Sequence, residues 1–401
     1  GTSVYMLDRV IPMLPKQVSN GICSLNEGEN RLTLSVIIEL DKDGNVISSD
    51  IMKGVIKVTK RMSYNIIQEL LDLKEDSEIR EELKEYLPYI EHFKLMGELA
   101  HILENKRKEN GYLDLNIPES DITLDKNGRA IDVKKYELKF SNSIIEQFML
   151  TANEVVAEKF YWLEAPFIYR VHEAPDQEKI SELNTYLYNF GYKIKGSKDN
   201  IHPKAFSTII EEIKGKDEEA LISTLILRTL KVARYEAENK GHFGIAGKYY
   251  CHFTSPIRRY PDLFIHRVIS EYLEKNYNLN EERINILSDK AKKYAETSSE
   301  CEKIATKAER DAEDIKKAEF MEDKIGQEFL GIVSSITSFG MFVELESTVE
   351  GLIRFENMGN EYFVYDENRK TLIGERTNRV FKIGDQVKIR VIDANKALRK
   401  V

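Results

Sequence analysis

Residues 241–267 read GHFGIAGKYYCHFTSPIRRYPDLFIHR, and the rest of the chain can be placed around this stretch. It opens rich in glycine, which permits close backbone approach, and interleaves five rings, Phe243, Tyr249, Tyr250, His252 and Phe253, a composition suited to stacking on bases. It closes as a helix: Thr254 or Ser255 suits the N-cap, Pro256 the first helical position, and Ile257, Phe264, Val268 and Tyr272 recur at helical spacing. A helix starting near Pro256 carries Arg258 and Arg259 in its first turn, beside unpaired N–H groups and the positive end of the helix dipole. A bound anion, a phosphate above all, is expected there. The competing reading pairs the two arginines with Asp262, four and three residues on, as ordinary ion pairs of a helix face.

Composition bounds the possibilities. At 401 residues and 46.5 kDa, with 42% hydrophobic and 32% charged residues, the chain is long enough for two or three domains with a sizeable core. No apolar run approaches membrane-spanning length and no signal-peptide pattern opens the sequence, so a cytoplasmic location is expected. Cys23, Cys251 and Cys301 form no C-x-x-C pair and are odd in number, which favours free thiols over disulfides or a zinc site. A net charge of −9 argues against an open electrostatic surface for nucleic acid; any such site has to be a local basic channel. The first residues already lie in a patterned stretch and the last six, KALRKV, read as a strand, so both ends are read as cuts.

In chain order, residues 32–40 and 46–58 alternate around a turn at Asp43-Gly44 and read as an antiparallel hairpin. Residues 61–109 are helical, with Ser63 as cap. Two or three short strands follow around a turn at Lys126-Asn127-Gly128, then an amphipathic helix over 141–160 capped by Ser141 or Asn142. His172 has no partner at ligand spacing and reads as a packing residue. Residues 176–240 are mainly helical. From Tyr272 to about Phe320 the charges are mixed and read as a solvated face; Glu309, Asp311, Glu313 and Asp314 point in several directions on one helix and are not read as a metal site. From about Asp323 the pattern turns to strands.

GHFGIA followed by HFTSPIRRYPDL and HR resembles the signature of the ribonuclease II and ribonuclease R family of 3′→5′ exoribonucleases, most like its bacterial ribonuclease R branch, and the resemblance extends over nearly the whole chain. It implies an α+β catalytic-domain portion over residues 1–322, a mixed antiparallel sheet with packed helices, followed over 323–401 by an all-β OB-fold RNA-binding domain whose last strand is truncated. It implies processive hydrolysis of RNA to nucleoside 5′-monophosphates, with the single-stranded 3′ end as partner and a monomer as the assembly. Arg258 would stabilise the pentacovalent phosphate, with Ser255 and Arg259 facing RNA beside it. Tyr5 would stack on the last nucleotides; Tyr64 and Glu146 would read the ribose. Leu115 stands where relatives carry a base-sandwiching phenylalanine, and Gln147 where they carry a second glutamate. In the OB region G-x-V, F-G-x-F-V and E-G-L recur, Phe339 and Phe342 would stack on bases, and Arg354 stands where many relatives have a histidine.

The same resemblance implies Mg2+ held by an aspartate cluster, Asp followed six residues later by Asp-x-Asp-Asp. No stretch of this sequence reproduces it, and its place corresponds to a position upstream of Gly1. Two functions of different class are therefore carried forward. One is a magnesium-dependent exoribonuclease of which these 401 residues alone are inactive; the other is a noncatalytic RNA-binding module that keeps the channel without the metal site.

Overall fold

The computed structural model describes residues 1–74, 79–115, 119–196, 201–216, 218–359, 361–367 and 369–401. The chain opens with two short paired strands, β1 (Val4–Tyr5) and β2 (Val10–Ile11), and a π-turn over Gln17–Ile22. The expected hairpin follows as β3 (Asn30–Leu40) and β4 (Val46–Lys57). Its turn is built by Asp41, whose Oδ1 accepts the N–H groups of Asp43 at 2.9 Å and Asn45 at 2.7 Å, while Gly44 takes φ +73°. The same device recurs between β5 (Ser120–Leu124) and β6 (Ala130–Lys135), where Asp125 accepts from Asn127 and Arg129.

Between the hairpins lie α1 (Tyr64–Leu71), the short α2 (Glu81–Lys84) and α3 (Ile90–Asn110). Ser63 caps α1 as expected, its side chain accepting from the Ile66 N–H. The next helix, α4 (Phe140–Trp162), begins earlier than the sequence suggests, with Lys139 at the N-cap. Neither expected cap holds that position. Asn142 reaches back to accept the Lys139 N–H, and Ser141 instead docks α4 onto α1, its Oγ donating to the Tyr64 carbonyl at 2.8 Å. Arg107, buried on α3, bolts the two long helices together through Gln147, Thr151 and Glu154.

Strand β7 (Tyr169–Val171) pairs with β8 (Arg234–Glu236), and between them run α5 (Gln177–Tyr188), α6 (Lys204–Ile213) and α7 (Glu219–Thr229). The helical expectation for 176–240 therefore fails at its end, where β8 joins β7. Then come α8 (Tyr260–Glu274) and α9 (Glu281–Glu322). The 42 residues of α9 extend about 63 Å at 1.5 Å per residue. Between Leu287 and Met321 at its two ends, its buried face carries the small side chains Ala291, Ala295, Ser298, Ala305 and Ala318, which lets β1, β6, β8 and α8 all pack closely along it.

After α9 the chain is all β. Strands β9 (Glu328–Thr337), β10 (Gly340–Leu345) and β11 (Glu350–Arg354) form an antiparallel meander; β12 (Phe363–Asp366), β13 (Thr371–Gly374) and β14 (Val380–Lys382) form a second; and β15 (Gln386–Arg390) returns to pair with β9. Val333, Ile336, Met341, Val343, Phe363, Leu372 and Phe381 fill its interior, and this core is continuous with the apolar faces of α5, α6 and α7. The strand expected over 396–401 does not form: a turn closed by an Asn395–Lys400 bridge occupies it, and the Val401 carbonyl accepts the Leu352 N–H at 3.0 Å. Among the described residues no helix is long and apolar enough to cross a membrane.

Candidate active site and nucleic-acid interface

The GHFGIA loop is folded against the end of β7. Phe243 N–H donates to the His172 carbonyl, Gly244 N–H to His172 Nδ1 at 3.0 Å, and the Gly244 carbonyl accepts from Leu113 N–H. A Cβ on Gly244 would stand 2.9 Å from His172 Nδ1, so this position has no room for a side chain. His172 is buried and structural, as expected. The rings of this stretch were expected to offer faces to bases, and for three of them packing prevents it. Phe243, Tyr250 and Phe253 are core residues, and His242, Tyr250 and His252 contact edge to face.

The helix that follows starts at Tyr260, four residues later than expected, with Arg259 at the N-cap and Pro261 in its first turn. Pro256 lies in a turn ahead of it, and neither Thr254 nor Ser255 caps it. The anion site expected at its N-terminus is consequently stripped of most of its donors. The Tyr260 N–H donates to the Gly1 carbonyl, Pro261 has no N–H, and the Leu263 N–H returns to the Arg259 carbonyl.

The two arginines part company here. Arg259 turns inward and grips Asp262, which is fully buried, through Nε at 2.9 Å and Nη2 at 2.7 Å. Arg258 is exposed and, among the described residues, has no ion-pair partner. It lines a cavity of about 210 Å3 together with Thr2, Tyr5, Tyr235, His252, Arg259, Glu302 and Glu309. Tyr5, half exposed on β1, thus lines the same cavity as Arg258, its N–H donating to Glu309 Oε1 at 2.8 Å. Ser255 is not part of the cavity lining.

Glu302, Glu309, Tyr235 and His252 were not singled out as a set from the sequence. Glu302, Ala305, Thr306 and Glu309 lie at i, i+3, i+4 and i+7 on α9, and this spacing was the available signal in a helix otherwise read as solvated. Glu302 pairs with Arg170 at 2.6 Å, and Arg170 lies over the Tyr235 ring at 4.6 Å. The Tyr235 hydroxyl and His252 Nδ1 share a hydrogen bond of 2.9 Å. Desolvation, reinforced by Arg259 and Arg170, holds His252 well below the usual imidazole range, and burial pushes the Tyr235 phenol up. The wall is therefore a neutral imidazole and phenol between arginines and carboxylates.

Tyr64 and Glu146 are not part of this lining. Tyr64 is exposed at the first turn of α1, and Glu146, exposed on α4, accepts from the Tyr112 hydroxyl at 3.2 Å. Leu115 packs against the core of α5–α7, and Gln147 is buried on Arg107. For the divalent metal that the resemblance implies, the residues present do not fit. Among the described residues no group of three or more His, Cys, Asp or Glu side chains is placed to hold an ion, and the two cavity glutamates already serve Arg170 and the Tyr5 amide.

On the β-barrel the expected trio comes together. Phe342 and Arg354 sit on the outer face of the meander, Gly340 being the register partner of Arg354 and Ser335 that of Phe342, and the Phe339 ring meets Phe342 edge to face at 6.4 Å. Phe339 and Arg354 are exposed, and Arg228 of α7 donates to Ser335 Oγ at 3.2 Å, at the border of this face.

Comparison with known proteins agrees with this layout. The RNB domain family matches residues 1–275 and the S1 RNA binding domain family residues 322–401. Among curated proteins the chain is 43% identical to ribonuclease R 1 of Lactococcus lactis, over 99% of this chain and 48% of that protein, and 43% identical to ribonuclease R of Thermotoga maritima, over 99% and 55%. It thus spans about half the length of the curated relatives it matches. Among solved structures, Mycoplasma genitalium RNase R in complex with ribose-methylated single-stranded RNA superposes with a TM-score of 0.89 at 29% identity, covering all of this chain and 62% of that one.

Proposed function

The chain belongs to the RNB domain family, joined to an S1 RNA binding domain, and from this we propose that it is the RNA-facing part of a 3′→5′ exoribonuclease that hydrolyses RNA processively to nucleoside 5′-monophosphates. The observation that carries the reading is the cavity that Tyr5 and Arg258 both line. An exposed guanidinium without an ion-pair partner, beside an exposed ring, is a combination suited to holding a phosphate and the base next to it. Tyr5 would stack on the terminal nucleotides, Tyr64 and Glu146 would contact ribose further along, and the face of Phe339, Phe342 and Arg354 would receive the single strand. Arg259 also lines the cavity, with its fork committed to Asp262.

Arg258 is the catalytic residue of this reading. Its planar fork would meet charge developing on the phosphoryl oxygens of the transition state. The metal that relatives imply finds no ligand set among the described residues, and no step is derived through it. In keeping with that, the 401 residues alone are proposed to bind RNA without degrading it.

The test uses a longer protein, of the relatives' full length, that contains these residues. Arg258→Ala is expected to lower the single-turnover rate about 10²–10³-fold while RNA affinity, shared among many contacts, changes much less. Arg258→Lys is expected to be nearly as damaging, because lysine keeps the charge but not the fork. A rate equal to the unmutated one would refute the role. RNA binding with no hydrolysis by the unmutated protein would favour the alternative of a noncatalytic RNA-binding module.

A further inference from the structure

Arg258 sits on a turn that is not helical, and a guanidinium on a turn is useful to a transition state only if the turn is rigid. Residues 255–259 leave the ring-rich loop and enter α8, and the N–H groups of Arg258 and Arg259 both return to the Ser255 carbonyl, at 3.2 and 3.1 Å. One buried oxygen closes this turn. Asp262 Oδ1 accepts the Ser255 N–H at 2.7 Å and Arg259 Nη2 at 2.7 Å, so it holds both ends of the five-residue segment whose outer side carries Arg258. Asp262 Oδ2 takes the second prong of the fork, Arg259 Nε, at 2.9 Å. The backbone at Arg259 is extended, with φ −130° and ψ 123°, a geometry that sends successive side chains to opposite sides. With Arg259 anchored inward, Arg258 is directed outward to the cavity. From the other side, the Arg258 carbonyl accepts the Ser3 N–H at 2.9 Å and the Thr2 hydroxyl at 3.2 Å, which ties the turn to the strand carrying Tyr5.

We propose that Asp262, acting through the fork of Arg259 and the Ser255 amide, is the positioning residue that fixes Arg258 for phosphoryl chemistry. The inference rests on the exoribonuclease reading above. Fully buried Asp262 touches no part of the cavity. Its loss leaves the charge on Arg258 intact but frees the turn, and misplacement by a fraction of an ångström weakens transition-state contacts far more than ground-state ones.

The experiment is a double-mutant cycle in the longer protein, read as single-turnover rate and RNA dissociation constant. Asp262→Asn keeps the shape and one acceptor and is expected to slow cleavage at least tenfold with affinity within twofold. In the Arg258→Ala background the same substitution is expected to change the rate by less than twofold, because nothing remains to position. Multiplication of the two defects, or equal loss of affinity and rate, would overturn the proposal and assign Asp262 to the fold. Arg259→Lys, which leaves a cation beside Asp262 with a single point of attachment, is expected to reproduce the pattern should Asp262→Asn not fold. Failure of both to fold would likewise assign the pair to the fold. If Arg258→Ala alone has no effect while the unmutated protein cleaves RNA, it is the functional reading that fails, and the positioning role falls with it.

Discussion

Acid should weaken this fold well before its carboxylates titrate, and four histidines set the window. Burial lowers the pKa of His172, His242, His252 and His266, with His242 brought from 6.5 to about 3 and His252 well below 6.5. The charges facing them mostly add to the effect: Arg170 near His172 and His242, His172 near His242, and Arg258, Arg259 and Arg170 near His252; only His266 has a carboxylate, Asp262, opposing the shift. Above pH 6.5 both folded and unfolded chains hold these rings neutral. Below it the unfolded chain takes up protons that the folded chain refuses, so stability falls as pH falls, for His242 down to about 3. His242, still neutral in the folded state at pH 5, has by then withdrawn about 2 kcal/mol, a sizeable part of a typical stability of roughly 5–15 kcal/mol, and His252 acts in the same direction. Glu313 and Glu344, raised by burial, oppose this as they protonate, whereas Glu319 and Glu328, lowered to about 2, act only at more acid pH. Urea unfolding between pH 8 and pH 5 measures the loss directly. His242→Phe, which keeps a ring against His172 and Tyr250, should reduce the pH slope between 6 and 5 by about one proton, or about 1.4 kcal/mol per pH unit. Stability that is flat from pH 8 to pH 5, or an unchanged slope in the variant, would refute the reasoning.

Two further outcomes can be measured on the chain itself. Gly244→Ala should destabilise the fold by about 1–3 kcal/mol in urea unfolding, because the added methyl stands 2.9 Å from the His172 nitrogen that accepts the Gly244 N–H; a smaller loss would mean that His172 can move aside. Phe339→Ala and Phe342→Ala should each weaken single-stranded RNA binding by about 1–3 kcal/mol in a fluorescence titration, and unchanged affinity with lowered thermal stability would assign these rings to packing alone.

What was legible in the sequence was what neighbours in sequence decide. Both hairpin turns are made by an aspartate that binds amides two and four residues on, followed by a glycine at positive φ, and Ser63 caps α1 across three residues. The errors fall where a distant partner overrides a local signal. Ser141 is a good cap by type, yet the Tyr64 carbonyl, 77 residues away, claims its hydroxyl. Five rings in a glycine-rich run look available for stacking, yet three are core, because the loop folds onto β7 through His172, itself far off in sequence. Acidic α9 looks solvated, yet Tyr5 and Arg170 reach it from elsewhere in the chain and turn Glu309 and Glu302 into one wall of the cavity.

The pair Arg258-Arg259 is the sharpest case. Asp262 lies four residues from one and three from the other, and on a helix both separations bring side chains together, so spacing gives no preference. Two prolines, Pro256 and Pro261, also compete for the first turn of the helix. The choice is made by contacts that no local window contains. Gly1 takes the Tyr260 N–H, and Ser3 with Thr2 takes the Arg258 carbonyl across 256 residues of sequence, so the helix cannot begin before Tyr260 and Arg259 stays extended at its threshold. An extended residue there can turn only one of two adjacent arginines toward the buried carboxylate. The phosphate site expected at a helix end is thereby replaced by a single outward guanidinium whose direction is set by its neighbour, and a substitution at Arg259 should be read through Arg258 before it is read as a lost RNA contact.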